Sequence, residues 1–401
     1  MSAGPLRGVR IIDLTTVLMG PFATQILGDY GADVIKIEAP AGDNTRGIGP
    51  ARHRGMAAGF LHINRNKRSL VLDLKQPDGR EALLKLVVDA DVLVYNVRPQ
   101  AMARLGLDYE AVRAANPNII YTGVYGYGQR GPYAPRPAYD DLIQGAIALP
   151  TLGILAGADA PRYVPSAMAD RVVGIAAAGA ITAALFHRER TGEGQSIEVP
   201  MFETMAQFML GDHMSGHTFE PPAGPTGYAR LLNEYRRPYK TLDGYLCVLV
   251  YNDKQWQNFF EMIGRPEVMQ TDPRFNSITA RTENIRDLYK MLAEIFATRT
   301  TAEWQAALEA ADIPVMPMHT IESLMDDPHL RAVDFLQTVE HPTEGTMRSI
   351  SVPSNWSATQ PCLSRHAPQL GEHSAEVLRE AGYSDAQIET MLAAGVTRTA
   401  T

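Results

Sequence analysis

One carboxylate, that of Asp170, stands directly before the longest apolar run of the chain, residues 172–186. At the start of a helix an aspartate commonly acts as the N-cap, because its oxygen accepts a hydrogen bond from a free backbone N–H group. The same place also suits a nucleophile, since the positive end of a helix keeps a carboxylate ionised. The spacing favours the capping role and leaves the nucleophilic role open.

Two cations follow predicted strands and indicate an anionic ligand. Lys75 comes after the apolar run that ends at Leu74, and Arg98 comes after the run that ends at Asn96. Ligands of parallel α/β sheets collect at the carboxyl ends of the strands, where Lys and Arg side chains bind phosphate groups. Both residues are therefore candidates for a phosphate-bearing ligand, although these positions equally suit charges that only face solvent.

Residues 126–131 match G-x-G-x-x-G, the pattern of dinucleotide-binding folds. That pattern needs a helix that begins within it, so that the helix N-terminus binds the pyrophosphate. Pro132, Pro135 and Pro137 follow directly, and no helix runs through prolines so placed. We therefore predict a loop and no dinucleotide site.

The histidines and cysteines give no metal site. His213 and His217 have the i, i+4 spacing of a helical metal pair, but no acidic ligand accompanies them. Two cysteines, Cys247 and Cys362, are too few for a disulfide framework, and each is expected to be a small core residue. A reducing, cytoplasmic location is therefore expected.

The composition is typical of a soluble globular enzyme, with 45% hydrophobic and 20% charged residues. A net charge of −8 disfavours nucleic-acid binding, which usually needs a basic surplus. The N-terminal segment has no signal-peptide pattern, and the apolar run 172–186 is shorter than the ~20 residues that a membrane helix needs. We expect this run to form a helix buried in protein, with no membrane partner.

Strand-like and helix-like segments alternate over the first 200 residues, so the fold class is α/β with a Rossmann-like parallel sheet. A Pro/Gly-rich stretch, residues 220–227, marks the best domain boundary. We predict a large domain over residues 1–200, a helix and linker over 201–227, and a small α/β domain over 228–325. The segment 326–401 is predicted to return to the large domain.

An ordered series of short motifs resembles family III of the CoA-transferases, also called the CaiB/BaiF family, over nearly the whole chain. Each motif is weak alone, but their common order argues against chance similarity. The motifs are LRGVR (6–10), DL (13–14), GPFA (20–23), GADVIKIE (31–38), NRNKRS (64–69), LDLK (72–75), ADV (90–92), GYG (126–128), GP (131–132), AYD (138–140), RTGEGQ (190–195) and LGEH (370–373).

The resemblance implies roles for individual residues. In that family the catalytic carboxylate precedes the helix that ends in the RTGEGQ turn, and Asp170 holds this position. Asp140 matches an acid that lies beside the catalytic one in some members, and Tyr139 precedes it. Coenzyme A would be bound as a substrate, with no permanently bound cofactor. The implied CoA-binding residues are Leu72, Asp73, Leu74, Lys75, Asn96, Val97, Arg98, Arg104 and Arg136.

The implied reaction is a reversible transfer of CoA between carboxylic acids. Asp170 would attack an acyl-CoA to give a mixed anhydride, and the released CoA thiolate would then form an aspartyl-CoA thioester. An incoming acid would reverse these steps, so no metal or redox cofactor is needed. The family also implies a homodimer whose two chains interlock.

Departures from the family bear on the acids. Leu18 and Met19 differ from the residues typical of formyl-CoA transferases, which disfavours formate and oxalate. Residues 227–234 lack the glycine run that forms a lid in some members. Arg230 and Arg236 are candidate clamps for a dicarboxylate, or simple surface arginines.

Three alternative functions are less favoured. A 2-methylacyl-CoA racemase of the same fold needs a second base, and Tyr139, with an ordinary pKa of about 10, stands where those enzymes carry a histidine. A nicotinamide oxidoreductase is supported only by residues 126–131 and the parallel sheet. A non-catalytic CoA-binding protein is disfavoured by the presence of Asp170.

Overall fold

The computed structural model describes residues 4–400. They form two compact units: the first contains the chain up to Ile147, Val164–Phe208 and the chain from Pro328 onward, and the second contains Ala148–Tyr163 and Met209–Asp327. The sequence analysis placed residues 148–163 in the large domain, but they group with the second unit. In that unit Gly157 packs so closely on Glu234 that an added Cβ would approach the Glu234 Cβ to 2.7 Å.

The first unit is built on a six-stranded sheet in the order β3-β2-β1-β4-β5-β6, with every pair parallel. Strands β3 and β5 are buried along their whole length, as parallel sheets with helices on both faces require. The predicted Rossmann-like parallel sheet is thus confirmed. The strands are β1 (Arg10–Asp13), β2 (Asp33–Glu38), β3 (Lys67–Val71), β4 (Val92–Tyr95), β5 (Ile120–Tyr125) and β6 (Ser196–Pro200).

Helices connect these strands, and local signals fix several of their ends. Pro77 lies in the first turn of α3, where its missing N–H costs nothing. Asp108 caps α5 by accepting a hydrogen bond from the Ala111 N–H group. The helices up to residue 213 are α1 (Met19–Asp29), α2 (Ala58–Ile63), α3 (Pro77–Val88), α4 (Pro99–Arg104), α5 (Tyr109–Ala115), α6 (Asp140–Ala146), α7 (Leu149–Leu155), α8 (Met168–Thr191) and α9 (Met201–His213).

Helix α8 begins earlier than the sequence indicates. Its N-cap is Ala167, so Asp170 is the third residue of the helix and its side chain makes no capping bond. The prediction that Asp170 caps this helix is therefore wrong. The helix ends at Gly192, which adopts a φ of 77° and donates its N–H to Arg188, as a glycine C-cap does.

One face of α8 is buried and the other is not. Val173 and Ile181 are buried, whereas Ile175 is 59% and Phe186 is 64% exposed. The predicted burial therefore holds for one face only. By length and composition α8 also suits a membrane span, a test that core helices of soluble proteins pass too, and 44% of its most apolar 18-residue window is buried.

The second unit has a small antiparallel sheet in the order β7-β8-β9 and an aromatic core. Trp256, Phe259, Phe296 and Trp304 are buried in that core. Thr300 starts α14 with a capping box formed with Glu303. The strands are β7 (Tyr239–Lys240), β8 (Tyr245–Val248) and β9 (Val315–Pro317), and the helices are α10 (Asp253–Met262), α11 (Val268–Thr271), α12 (Ile278–Glu283), α13 (Ile285–Phe296), α14 (Thr301–Ala310) and α15 (Ile321–Met325).

The C-terminal part of the chain belongs to the first unit. The Thr397 hydroxyl donates to the Val71 carbonyl at 2.7 Å, and the Asp73 N–H donates to the Val396 carbonyl at 2.8 Å. Val377 and Leu378 pack in the same core as the sheet. The elements are α16 (Pro328–Ala332), the hairpin β10 (Leu336–His341) and β11 (Gly345–Ile350), α17 (Ser374–Glu380) and α18 (Asp385–Ala393).

Candidate active site

The strand order reverses between β1 and β4, and α/β sheets bind ligands at the carboxyl ends of the strands at such a switch point. The segment 15–18, named here the β1–α1 loop, and Asn96 lie at this point. Asn96 accepts a hydrogen bond from the Thr16 N–H at 3.0 Å and donates one to the Thr16 carbonyl at 2.7 Å. The loop is therefore fixed to the end of β4.

Helix α8 brings Asp170 to the start of α1. The two helices pack closely, and a Cβ added to Gly174 would come within 2.9 Å of the Met19 carbonyl oxygen. Asp170 lies four residues before Gly174, which places it one turn away on the same face of α8. The Arg171 guanidinium stacks on the Phe22 ring of α1 at 4.3 Å. The carboxylate thus stands beside the N-terminal end of α1.

Asp140 holds the backbone at Asp170. Its Oδ2 accepts a hydrogen bond from the Asp170 N–H at 2.9 Å, and its Oδ1 accepts one from Gln144 Nε2 at 2.6 Å. Gln144 is fully buried, and its Oε1 accepts the Val164 N–H at 2.8 Å. Asp140 therefore does the capping that the sequence analysis assigned to Asp170, and Gln144 ties the approach to α8 to the same network.

The Asp170 carboxylate is half-buried, and within residues 4–400 no group donates a hydrogen bond to it. Burial and, next, the negative charge of Asp140 together raise the pKa of Asp170 to about 6, and the positive charge of Arg171 opposes them. At neutral pH the group is thus largely ionised, while its raised pKa makes it a stronger nucleophile than an exposed aspartate.

Two fully buried ion pairs lie beneath the β1–α1 loop. Lys67 Nζ is 3.0 Å from Asp13, and Lys36 Nζ is 3.0 Å from Asp43. Burial disfavours ionisation of Asp13, but Lys67 and Lys36 outweigh it and lower its pKa. Burial lowers the pKa of Lys67 to about 8, although Asp13 opposes this change.

A cavity of about 1340 Å³ opens in the first unit beside the site. It is lined by α1, α2, α8 and the chain from Ile350 to Ser354. Val17 and Leu18 form part of its wall together with Arg171 and the exposed face of α8 that carries Ile175. The wall next to the β1–α1 loop is therefore largely hydrocarbon.

Some of the residues implied to bind CoA lie close together. Arg98 Nη1 donates to the Pro135 carbonyl at 3.0 Å, which brings Arg98 next to Arg136. The Arg136 guanidinium is exposed and stacks on the Tyr133 ring at 4.1 Å. Val97 precedes Arg98 and is exposed as well, so the two loops after β4 and β5 form one cationic rim, while Arg104 is exposed at the end of α4.

Residues 72–75 are separate from this rim. They follow β3, which is three strands from β4, or roughly 14 Å at the usual strand spacing. Leu72 is a core residue, Leu74 is partly buried, and Asp73 accepts the Lys75 N–H at 3.1 Å, while the Lys75 side chain is exposed. Contact of CoA with residues 72–75, or with the cationic rim, stays a prediction.

The structure places the other predicted residues as follows. Met19 is buried, and Tyr139 is 68% exposed at the N-cap of α6. Arg230 and Arg236 belong to the second unit, where Arg230 donates to the Tyr289 hydroxyl at 2.9 Å and stacks on another tyrosine. Part of the Arg230 guanidinium is thus already engaged.

A dinucleotide does not fit this sheet. The acid at the end of β2 that would bind the ribose is Glu38, but its carboxylate already accepts bonds from Arg46, Ser69 and the Asp43 N–H. Residues 126–131 form a loop after β5, and the next helix begins only at Asp140, so the predicted loop is confirmed. Within residues 4–400 no group of three metal-ligating side chains occurs.

Sequence reasoning missed Gln144, Val17, Lys36 and Asp43. The i, i+4 spacing of Asp140 and Gln144 was a usable signal, because such pairs face each other on a helix. Lys36 lies inside the GADVIKIE motif, but no local pattern indicates that its side chain reaches beneath a loop. Nothing in the sequence predicts the left-handed backbone of Val17.

The comparisons with known proteins agree with this geometry. The model of CoA-transferase family III matches residues 6–374. Mouse succinyl-CoA:glutarate CoA-transferase is 34% identical over 98% of this chain and 91% of its own, and Escherichia coli formyl-CoA:oxalate CoA-transferase is 33% identical over 96% and 98%. The crystal structure of Rv3272 from Mycobacterium tuberculosis superposes with a TM-score of 0.80 and 30% identity, covering 94% of this chain and 99% of that one. The chain belongs to CoA-transferase family III.

Proposed function

We propose that the protein transfers CoA reversibly between carboxylic acids, with Asp170 as the nucleophile. The observation that carries this proposal is the Asp170 carboxylate: half-buried, without a hydrogen-bond donor in the described chain, and with its pKa raised to about 6. A carboxylate held only to neutralise a partner would show an ion pair and a lowered pKa. Asp170 instead keeps its oxygens available to attack a carbonyl carbon.

The first half of the reaction loads CoA onto the enzyme. An Asp170 oxygen attacks the thioester carbonyl of the donor acyl-CoA, the C–S bond breaks, and CoA leaves as a thiolate. The thiolate then attacks the aspartyl carbonyl of the mixed anhydride and expels the donor acid as a carboxylate. The product is an aspartyl-CoA thioester, and no proton has to be transferred in either step.

The second half repeats these steps in reverse. The acceptor carboxylate attacks the aspartyl-CoA thioester, and the thiolate then attacks the acceptor's carbonyl, which frees Asp170 and the new acyl-CoA. Each tetrahedral intermediate carries an oxyanion, and backbone N–H groups at the N-terminus of α1 are the candidates to stabilise it.

The acids are proposed to carry a hydrocarbon chain. Val17 and Leu18 of the β1–α1 loop form an apolar part of the cavity wall. An apolar wall suits the methylene groups of longer acids better than formate or oxalate. The mouse relative is a succinyl-CoA:glutarate CoA-transferase, so these two dicarboxylates are the first to test.

A donor and acceptor screen tests this function. Purified enzyme is incubated with succinyl-CoA and a panel of acids that includes glutarate, formate and oxalate, and new acyl-CoA esters are identified by mass spectrometry. Hydroxylamine added during turnover should convert Asp170 to its hydroxamate. Asp170→Ala should abolish both exchange and trapping, and an Asp170→Ala enzyme with full exchange would contradict the mechanism.

The racemase alternative receives no specific support. Proton exchange at the α-carbon needs a second base, and the residue before Asp140 is Tyr139, which is 68% exposed. Deuterium incorporation into 2-methylacyl-CoA in the absence of an acceptor acid is the result that would favour it.

We further propose that the protein is a homodimer. The exposed apolar residues Ile175 and Phe186 on α8 support the proposal, since exposed apolar surfaces of this kind often mark protein–protein interfaces. Light scattering coupled to gel filtration should give twice the mass of 43.9 kDa. Phe186→Asp should weaken the association, whereas the same change at the exposed Leu242 of the second unit should not.

A further inference from the structure

The β1–α1 loop has a strained backbone at Val17. This residue adopts a φ of 69°, in the left-handed region that β-branched residues rarely occupy. Strained residues of this kind persist only where their surroundings hold them, and they cluster at functional sites. The contacts that hold Val17 therefore indicate what the conformation is for.

The loop is held by side chains from three other parts of the first unit. Both Asp43 oxygens accept the Val17 N–H at 3.3 Å, and Lys36 Nζ donates to the Thr15 carbonyl at 2.8 Å. Asn96 binds both backbone groups of Thr16. Three successive loop residues are thus fixed by side chains rather than by neighbouring backbone.

Lys36 and Asp43 have been withdrawn from water to make these contacts. Each side chain is 0% exposed, and they pair with each other at 3.0 Å. Replacing a buried ion pair by apolar residues often leaves a protein equally stable, so such a pair is weak as a stabilising device. Its contacts with the loop offer a different reason for its presence.

The loop also stands beside the proposed nucleophile. It leads directly into α1, whose Met19 carbonyl lies against Gly174, one turn from Asp170 on α8. Val17 and Leu18 reach the cavity on this side. A shift of the loop would therefore move the surface against which the acyl group next to Asp170 must lie.

We propose that Lys36 and Asp43 are positioning residues that hold the β1–α1 loop in its strained conformation, and that this loop orients the acyl group for attack by Asp170. The inference rests on the proposed CoA transfer. A misplacement of about 1 Å costs up to roughly 100-fold in rate, which is the scale of effect expected here.

Val17→Gly is the central test, because glycine adopts this conformation without strain and leaves the loop free to move. We expect kcat for CoA exchange to fall by roughly 10- to 100-fold with KM for acyl-CoA within about 2-fold, while the thermal midpoint stays equal or rises. Ser215→Gly is the matched control: Ser215 also has a positive φ, of 48°, but it is exposed in the second unit, and its kcat should not change.

Asp43→Asn, alone and with Val17→Gly, tests whether the buried pair acts through the loop. If it does, the double variant should be no slower than Val17→Gly alone, because the loop is already released. If the two substitutions instead lower kcat independently, so that their effects multiply in the double variant, Asp43 acts elsewhere and is not a positioning residue of the loop. Should Asp43→Asn fail to fold, Val17→Gly still decides: full kcat in that variant overturns the inference.

The two proposals fail separately. If the wild-type enzyme exchanges CoA between no pair of acids, the proposed function is wrong. If the wild type is active and Val17→Gly equals it in kcat, only the positioning role is wrong.

Discussion

Asp140 accepts a hydrogen bond from the backbone N–H of Asp170 at 2.9 Å, so one acid fixes the start of the helix that carries the other. The two carboxylates consequently lie close enough for the charge of Asp140 to raise the pKa of Asp170. The contact thus fixes the position of the proposed nucleophile and adds to the effect of burial in raising its pKa.

Asp140→Asn should shift the pH dependence of CoA exchange. The nucleophile must be ionised, so kcat/KM of the wild type should rise with pH through about 6. Asparagine keeps one oxygen that can accept the Asp170 N–H, loses the acceptor for Gln144 Nε2 and removes the negative charge, so the acidic limb of the pH profile should shift to lower pH by about one unit. Asp141→Asn, an exposed neighbour, serves as control and should leave the limb in place. An unmoved limb in Asp140→Asn would show that the two charges are not coupled.

Asp170→Asn should stabilise the protein above pH 6. The folded-state pKa of about 6 exceeds the unfolded value of 3.8, so the fold favours the protonated form and is penalised when Asp170 ionises. Removing that penalty should raise the free energy of unfolding by about 1–2 kcal/mol at pH 8. This is less than the full pKa difference would give, because Asp170 is partly exposed to solvent. The difference should vanish below pH 4. Urea denaturation at both pH values measures it, and a destabilised variant at pH 8 would contradict the assigned pKa.

Local patterns predicted much of the fold. The strand-like runs 33–38 and 91–96 contain β2 and β4, because strands buried on both faces need largely continuous hydrocarbon. The pairs Thr300/Glu303 and Ser384/Gln387 have the spacing of a capping box, which is readable from the sequence because its hydrogen bonds lie within four residues, and they start α14 and α18. The three prolines after residue 131 correctly predicted a loop in place of a helix.

Contacts between distant residues could not be predicted in this way. The start of α8 is fixed by Asp140, thirty residues earlier, so the local pattern gave the wrong capping residue. The conformation of Val17 depends on Lys36, Asp43 and Asn96, which belong to three other segments. The proposed catalytic role of Asp170 came from the family resemblance, because its spacing favoured a cap and left a nucleophilic role open.

Gln144→Leu should weaken the approach to α8. Leucine fills the buried space but leaves the Val164 N–H and one Asp140 oxygen without a partner. Each lost hydrogen bond is worth about 0.5–1.5 kcal/mol, so the loss of both should lower the free energy of unfolding by about 1–3 kcal/mol. The kcat for CoA exchange should fall as well, because Asp140 loses its support. Gln100→Leu is the control, since Gln100 is exposed on α4, and equal stabilities of the two variants would count against a buried network.

Arg136→Ala should weaken CoA binding and leave the chemical step intact. Arg136 is exposed on the loop after β5, beside Arg98, where a phosphate can bind to both guanidinium groups. Loss of one charged hydrogen bond, about 1.5–3 kcal/mol, should raise KM for acyl-CoA by roughly 10- to 100-fold with little change in kcat.

Arg113 gives a matched control: it is exposed and lies near a tyrosine ring, as Arg136 does, but α5 carries it at the opposite, amino end of β5. Calorimetric titration with CoA should find weakened binding in Arg136→Ala and wild-type affinity in Arg113→Ala. Equal affinities in the two variants would remove Arg136 from the CoA site.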